Sequence, residues 1–400
     1  MNYEELINFK ADKPLEAARN QARRRLDGIA KPIDGLGRLE GILCRIAGIL
    51  GTPDFNLDKK GLVIMCADNG VVSEGVTQSD GRVTALVASL MGKGKSSVGI
   101  MCSSYPVDVS VVDVGIDSDE KIEGVMNKKI SRGTKNMAET DAMTADECLG
   151  AISVGVDLVK DLACDGYSLI ATGEMGIGNT TTSTAVLCAL LGLEARDVTG
   201  RGAGLDDAGL ERKVRIIEKA LARHAHRRNM RIGDGFTADS LKAGSLAADG
   251  LKAGSMSADG LKACCLAAGD VSPEYAFETL CSLGGLDIAG LTGVFIGGAL
   301  YHVPVIVDGL ISTVAALCAE VLVPGCRDYM IASHVGKEKG CAIALDRLGL
   351  KGIIDADLAL GEGSGAVLLM PLLDMTYLLY RNGTRFGADA GIDNYERFGP

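Results

Sequence analysis

Apolar residues in the first fifty positions recur at helical spacing up to the Lys31-Pro32 break. They do so again in PIDGLGRLEGILCRIAGILG, where Leu36, Leu39, Ile42, Leu43, Ile46 and Ile49 share one face. The chain is expected to open with helices, the last docking through that stripe. From Gly61 the rhythm changes. GLVIMCADNGV is a continuous apolar run ending in Asp68, Asn69 and Gly70, the form of a parallel strand buried on both faces that delivers polar groups at its carboxyl end. The same form recurs in VDVSVVDVGID, ending near Asp113 and Asp117, in YSLIATGE, and in VPVIVDGLIS, ending at Asp308. Four such strands separated by helical segments predict an α/β fold, a doubly wound, Rossmann-like parallel sheet with its ligand crevice at the strand ends. The two chain ends, 1–55 and 325–400, are expected to build a smaller helical domain beside a large α/β domain over 56–324.

Tyr167 to Gly192, YSLIATGEMGIGNTTTSTAVLCALLG, carries the strongest chemical signal. A strand breaks into a turn at Gly173, Gly176 and Gly178, then Asn179, Thr180, Thr181 and Thr182 open an apolar helix. Glycines let a ligand approach the backbone, and the first helical N–H groups have no partner in their own helix. A phosphate-bearing ligand is expected there; the alternative is a turn whose threonines cap the helix with no ligand at all. The spacing G-x-x-G-x-G-N-T-T matches neither a Walker A loop nor the dinucleotide fingerprint. MGKGKSS, 91–97, ends like a Walker A motif, but Ser89 stands where the first glycine is required and VTALVASL reads as helix, so no P-loop is expected.

Two further glycine turns lead into helices. In GRGAGLDDAGLERKVRIIEKAL, Asp206 and Asp207 sit at a helix start that favours carboxylates, and Lys213 is either a partner for an anionic substrate or a solvated helix lysine. In DADLALGEGSGAVLLMPLLDM, Gly361, Gly363 and Gly365 surround Glu362 and Ser364. Beside Leu358, Leu360, Val367 and Leu368, the Glu362 carboxylate would be partly desolvated, which raises proton affinity and suits a general base. It could equally complement the helix dipole. Arg38 could reach a ligand, although a lone arginine at a helix start is more often a surface charge.

A net charge of −11 over 400 residues, with no tryptophan, argues against a nucleic-acid surface and leaves small molecules or further copies of the chain as partners. The 12 cysteines form no C-x-x-C pair, so neither a zinc signature nor a disulfide framework is present, and a reducing cytoplasm fits. The amino-terminal segment lacks a signal peptide's apolar core, and Val303–Val323 is interrupted by Asp308 and Glu320, too short an uncharged run to span a bilayer. ADSLKAGSLA, ADGLKAGSMS and ADGLKACCLA repeat in tandem over 238–267. Leu or Met every five residues steps about 140° around a helix, so no face collects them, and the stretch reads as a surface insertion outside the site.

Taken together, KPIDGLGRLE, CADNGVVSEGV, VVDVGID, GEMGIGNTTT, GRGAGLDD with LERKV, LGGLDIAGLTGVFIGGA, PVIVDG, ASHVGKEKG and LGEGSGAVLLMPLL resemble the nicotinate-nucleotide:dimethylbenzimidazole phosphoribosyltransferases. They run in the family's order from Lys31 to about Leu373. The resemblance implies transfer of phosphoribose from nicotinate mononucleotide to the lower-ligand base of cobalamin, by a homodimer with no metal requirement; no cofactor is expected. It also implies that Glu362 is the general base and that Glu174 is a second catalytic glutamate near the ribose. Gly176, Gly178, Asn179, Thr180 and Thr181, with Gly202, Gly204 and Lys213, would hold the nucleotide and its phosphate. Asp68, Asn69, Ser79, Val87, Leu360 and Asp308 are expected around the base. The family often has histidine where Asn69 stands, a tyrosine- or serine-proline segment where Gln78-Ser79-Asp80-Gly81-Arg82 stands, a glutamine at Val87 and a serine at Gly336. The first three shape the base pocket. They leave open a different benzimidazole, a purine or a phenol, or a silent relative that only binds a nucleotide or base.

Overall fold

The computed structural model describes residues 2–233, 271–387 and 389–396; the decapeptide repeat at 238–267 lies outside them. Six parallel strands form the main sheet: β1 (Lys60–Ala67), β2 (Asp108–Gly115), β3 (Met126–Asn127), β4 (Leu169–Met175), β5 (Val305–Val307) and β6 (Met330–Ala332). Their order is β3-β2-β1-β4-β5-β6. The chain leaves β1 toward β2 on one side and returns to β4 on the other, so the switch point lies between the carboxyl ends of β1 and β4. That is where crossovers diverge and leave a crevice.

All of β1 is buried, which is why its sequence runs apolar without alternation. Val63, Met65 and Ala67 face one core, with Val112, Val114 and Ile170, while Leu62, Ile64 and Cys66 face the other, with Val111, Leu169 and Ala171. On the first face the helices Ala145–Cys164 and Leu286–Leu300 cross backbone against backbone. A Cβ at Gly155 would lie 2.1 Å from the Gly290 carbonyl oxygen, and one at Gly293 2.0 Å from that of Ile152. The glycines of the expected close-packing helix serve that contact.

On the other face the helices Glu16–Asp27, Arg38–Ile49, Arg82–Gly92 and Ser364–Asn382 supply the second core. Leu43, Ile46 and Ile49 are buried as the amino-terminal stripe predicts, while Leu36 stays exposed. The expected boundary at 325 is not the edge of the sheet, because Met330–Ala332 pairs with β5 as the sixth strand. β3 and β6 are only two and three residues long, too short to show as apolar runs. Among the described residues, no helix is long and apolar enough to cross a membrane.

Candidate functional site

The glycine turn at 361–363 packs directly on β4, which continues through Gly173, where a break was expected, to Met175 before the chain turns at Gly176. A Cβ at Gly173 would lie 2.6 Å from the Glu362 carbonyl oxygen, and one at Gly363 2.9 Å from that of Thr172, so only glycine allows this approach. Gly361, Glu362 and Gly363 all have positive φ, at 80°, 61° and 86°. For glutamate that conformation costs of the order of 1–3 kcal/mol. It persists because the turn is tied down: the buried Asp308 carboxylate accepts the Ala366 N–H at 3.0 Å, at the start of Ser364–Asn382. Asp308, expected around a base, anchors the turn that carries Glu362.

The Glu362 carboxylate accepts the Val98 N–H at 3.0 Å. Val98 opens the helix Ser97–Ser103, which Ser96 caps by accepting the Gly99 N–H at 3.1 Å. The segment that only mimics a P-loop thus orients the candidate base through a backbone amide. Its composition carried no sign of this, since any residue except proline can make the bond. Leu360 is 54% exposed and Leu368 is also exposed, so two of the four apolar neighbours expected around Glu362 do not enclose it within one chain.

The large shift among these carboxyls belongs to Glu174. Burial, then the nearby Asp287 charge, push it up to about 8, and Asp308 and Glu362 add to the effect. Burial likewise raises Asp287 to about 6. The Asn179 amide nitrogen donates to both, reaching Asp287 at 3.0 Å and Glu174 more closely. Near neutral pH this network holds more protons than two free carboxylates would. Asn179 therefore bridges carboxyl groups, where phosphate contact was expected of it. Asp287 escaped the sequence reading although a lone carboxylate inside LGGLDIAGLTG is a usable signal, because a fully buried charge needs a reason. A Cβ at Gly361 would lie 3.0 Å from Glu174 Oε1, so the second glutamate and the Glu362 turn border one space.

Next to it lies a buried lysine. Lys213 is 1% exposed, and its ammonium donates to Thr180 Oγ1 at 2.9 Å and the Gly200 carbonyl at 3.2 Å. No carboxylate among the described residues stands within 4.0 Å of it. Burial lowers Lys213 to about 8, against a smaller upward pull from Glu338. A Cβ at Gly202 would be 3.0 Å from Thr180 Oγ1 and 3.4 Å from the Lys213 nitrogen, so the second glycine turn closes on the first. Gly178, φ 91°, starts the helix Asn179–Leu191, and Thr84 Oγ1 accepts the Ile177 N–H at 3.2 Å, bracing the turn from behind. The Asn179 and Thr181 N–H groups fold back onto the Gly176 and Gly178 carbonyls at 3.1 and 2.9 Å, so not every amide of the turn is spare. Gly204 is tied to the β1 side of the crevice by Gln78, whose amide donates to its carbonyl.

A cleft of about 1280 Å³ opens beside the switch point, lined by Asp68, Asn69, Ser79, Gly81, Asp117 and Arg132 among others. Three of the residues expected around a base are therefore there. Val87 instead packs, half-buried, against the second core, and Leu360 is exposed outside the lining. Both were expected there from the resemblance, which does not give the direction of either side chain. The Asn69 side chain reaches back under the glycine turn: its oxygen accepts from Thr182 Oγ1 at 3.3 Å, and its buried nitrogen has no partner among the described residues. Arg38 donates to the Gly352 carbonyl and takes no part in the site.

Fold and site together define an α/β protein with a buried lysine beside paired carboxyl groups at the switch point of a doubly wound sheet. A family model described as phosphoribosyltransferase matches residues 11–241 and 261–392. Relatives named nicotinate-nucleotide--dimethylbenzimidazole phosphoribosyltransferase include one from Clostridium perfringens, 37% identical over 94% of this chain and 91% of its own. Another from Ruminiclostridium cellulolyticum is 37% identical over 99% of both. The crystal structure of the Thermus thermophilus protein of that name superposes with a TM-score of 0.77 at 31% identity, covering 95% of this chain and 99% of the other. The chain belongs to the nicotinate-nucleotide:dimethylbenzimidazole phosphoribosyltransferase family.

Proposed function

We propose that this protein transfers phosphoribose from nicotinate mononucleotide to a benzimidazole, releasing nicotinate and forming the α-nucleotide used as the lower ligand of cobalamin. The observation that supports the reading is the packing of the Gly361–Gly363 turn on the Gly173–Glu174 segment of β4, beside the buried Lys213. The 5'-phosphate is held by Lys213, Thr180, the Gly202 amide and those amides of the Gly176–Thr181 turn that are not already paired within the protein, an arrangement suited to an anion. The C1' carbon then lies toward Glu174 and Glu362.

The glycosidic C–N bond breaks with its electron pair passing to the pyridinium nitrogen, so nicotinate leaves as a neutral ring and needs no acid. One nitrogen of the incoming base attacks C1' from the opposite face, and Glu362 takes the proton from its other nitrogen. Glu174, largely protonated near neutral pH, donates a hydrogen bond to the ribose and adds no second negative charge beside Glu362.

A second reading, transfer to a base with more polar edges, is favoured by one observation. The Gln78–Arg82 segment that borders the cleft is polar, Gln78, Ser79, Asp80 and Arg82 all lining it. Comparing kcat/KM for benzimidazole, 5,6-dimethylbenzimidazole, adenine and p-cresol at saturating nicotinate mononucleotide decides. A benzimidazole is expected to lead by at least about tenfold, the usual worth of a well-fitted apolar edge; adenine in first place would overturn that choice of base while leaving the transfer chemistry standing.

The same reading includes a homodimer. Leu368, Leu372, Met375 and Leu378 are exposed along the Ser364–Asn382 helix, with Leu86, Leu90 and Ile100 exposed on the neighbouring helices. An apolar surface of that extent favours burial against a second copy. Sedimentation equilibrium is expected to give twice the chain mass of 41.5 kDa, and Leu372→Glu with Met375→Glu to give the monomer.

A further inference from the structure

One carboxylate already sits on the anion side. Glu338 comes from the loop after β6, at the start of the helix Lys339–Leu348, and its Oε1 accepts the Gly202 N–H at 3.0 Å. Its other oxygen presses against Gly200, where a Cβ would fall 1.3 Å from it, so any residue but glycine there would expel it. The Gly200 carbonyl is one of the two acceptors of Lys213, and the Glu338 charge acts on that ammonium without coming within 4.0 Å of it. Glu338 therefore holds a backbone donor, and compensates a buried cation, that the phosphate needs.

We infer that Glu338 is an internal stand-in for the substrate phosphate, seated on the Gly202 amide beside Lys213 in the empty enzyme and displaced when the nucleotide binds. The inference rests on the phosphate seat proposed above. Its physical basis is that one N–H cannot serve two anions at full strength, and a carboxylate and a phosphate a few ångströms apart in a dry site repel strongly. Without a stand-in, the buried Lys213 charge would face the empty seat with no countercharge close by, a costly state. With it, the enzyme gives up part of its phosphate affinity in return for a defined seat.

Two roles predict opposite signs. A stand-in competes with phosphate, so removing its charge tightens phosphate binding. A latch that only shapes the Gly200–Gly204 loop helps phosphate, so removing it weakens binding.

The test measures inorganic phosphate binding by calorimetry at low ionic strength, and KM for nicotinate mononucleotide, in the full-length wild type, Glu338→Gln, Glu338→Ala and Lys213→Met. Glu338→Gln keeps the shape and an acceptor oxygen, so it guards against loss of fold in the alanine variant. Both Glu338 variants are expected to bind phosphate about five- to twentyfold more tightly than wild type, with KM falling in parallel and the gain shrinking as salt is added. Phosphate binding that depends on Lys213 yet is unchanged or weaker in both Glu338 variants overturns the stand-in and leaves the phosphate seat intact. Binding that is indifferent to Lys213→Met removes the seat, and the stand-in falls with it.

Discussion

Glu362→Gln is expected to lower kcat by about 100- to 10,000-fold, the range a positioned general base contributes, while the dissociation constant for inorganic phosphate changes by less than about threefold. Glutamine fills the same space and can still accept the Val98 N–H through its amide oxygen, so the turn survives and only proton transfer is lost. The fold tolerates the change because the strain at φ 61° is a property of the backbone and not of the carboxylate. Single-turnover rates with nicotinate mononucleotide and a benzimidazole, alongside phosphate titration, separate the two effects. A variant with wild-type turnover would remove Glu362 from the chemistry, whereas no turnover in the wild type itself, with affinity unchanged in the variant, would favour a silent binding protein. A parallel collapse of phosphate binding would mean that the turn itself had moved.

Lys213→Met is expected to raise KM for nicotinate mononucleotide about 10- to 100-fold, because charge-assisted hydrogen bonds are worth roughly 1.5–3 kcal/mol and each 1.36 kcal/mol is a factor of ten. Methionine fills the volume and removes the cost of burying an ammonium that is 1% exposed, so the effect is on binding and not on folding. The wild type adds a pH signature. Burial holds Lys213 at about 8, below its usual 10.5, so the empty folded protein releases this proton earlier than the unfolded chain does.

Between those values the unfolded state binds more protons, and the contribution of Lys213 to stability rises with pH. Phosphate affinity moves the other way, because the anion needs the ammonium and affinity falls by up to tenfold per unit above about pH 8. Below about pH 6 the phosphate monoester takes up its own proton, so the tightest binding lies between. Log KM against pH should bend upward near 8 in the wild type and lose that bend in Lys213→Met; an identical bend in both would assign it to another group, Glu174 first among them.

Much of this architecture was readable from residue order. Continuous apolar runs ending in Asp68, Asp113 and Asp308 identify parallel strands, because a strand covered on both faces cannot alternate. The glycine turns at 173–178, 200–204 and 361–365 all lie around the crevice, since each needs either positive φ or close backbone approach. Lys213, left open between an anion partner and a solvated lysine, is buried. Short strands were missed because Met126–Asn127 and Met330–Ala332 are held by sheet neighbours and not by their own composition. The side-chain partners of Asn179 and Asp308 and the exposure of Leu360 were not legible, because residue order carries proximity to a site but not the direction of the side chain.

Local order along the chain fixes which segments become strand, turn and helix, because period, glycine and capping chemistry act over a few residues. Which groups then share a volume is decided across separations of a hundred residues or more, where Glu362 meets the Val98 amide, Asn179 joins Glu174 to Asp287, and Glu338 reaches Gly202. Those pairings depend on the strand order and on backbones close enough to touch, and it is burial in the assembled fold that moves Glu174 and Lys213 toward pH 8.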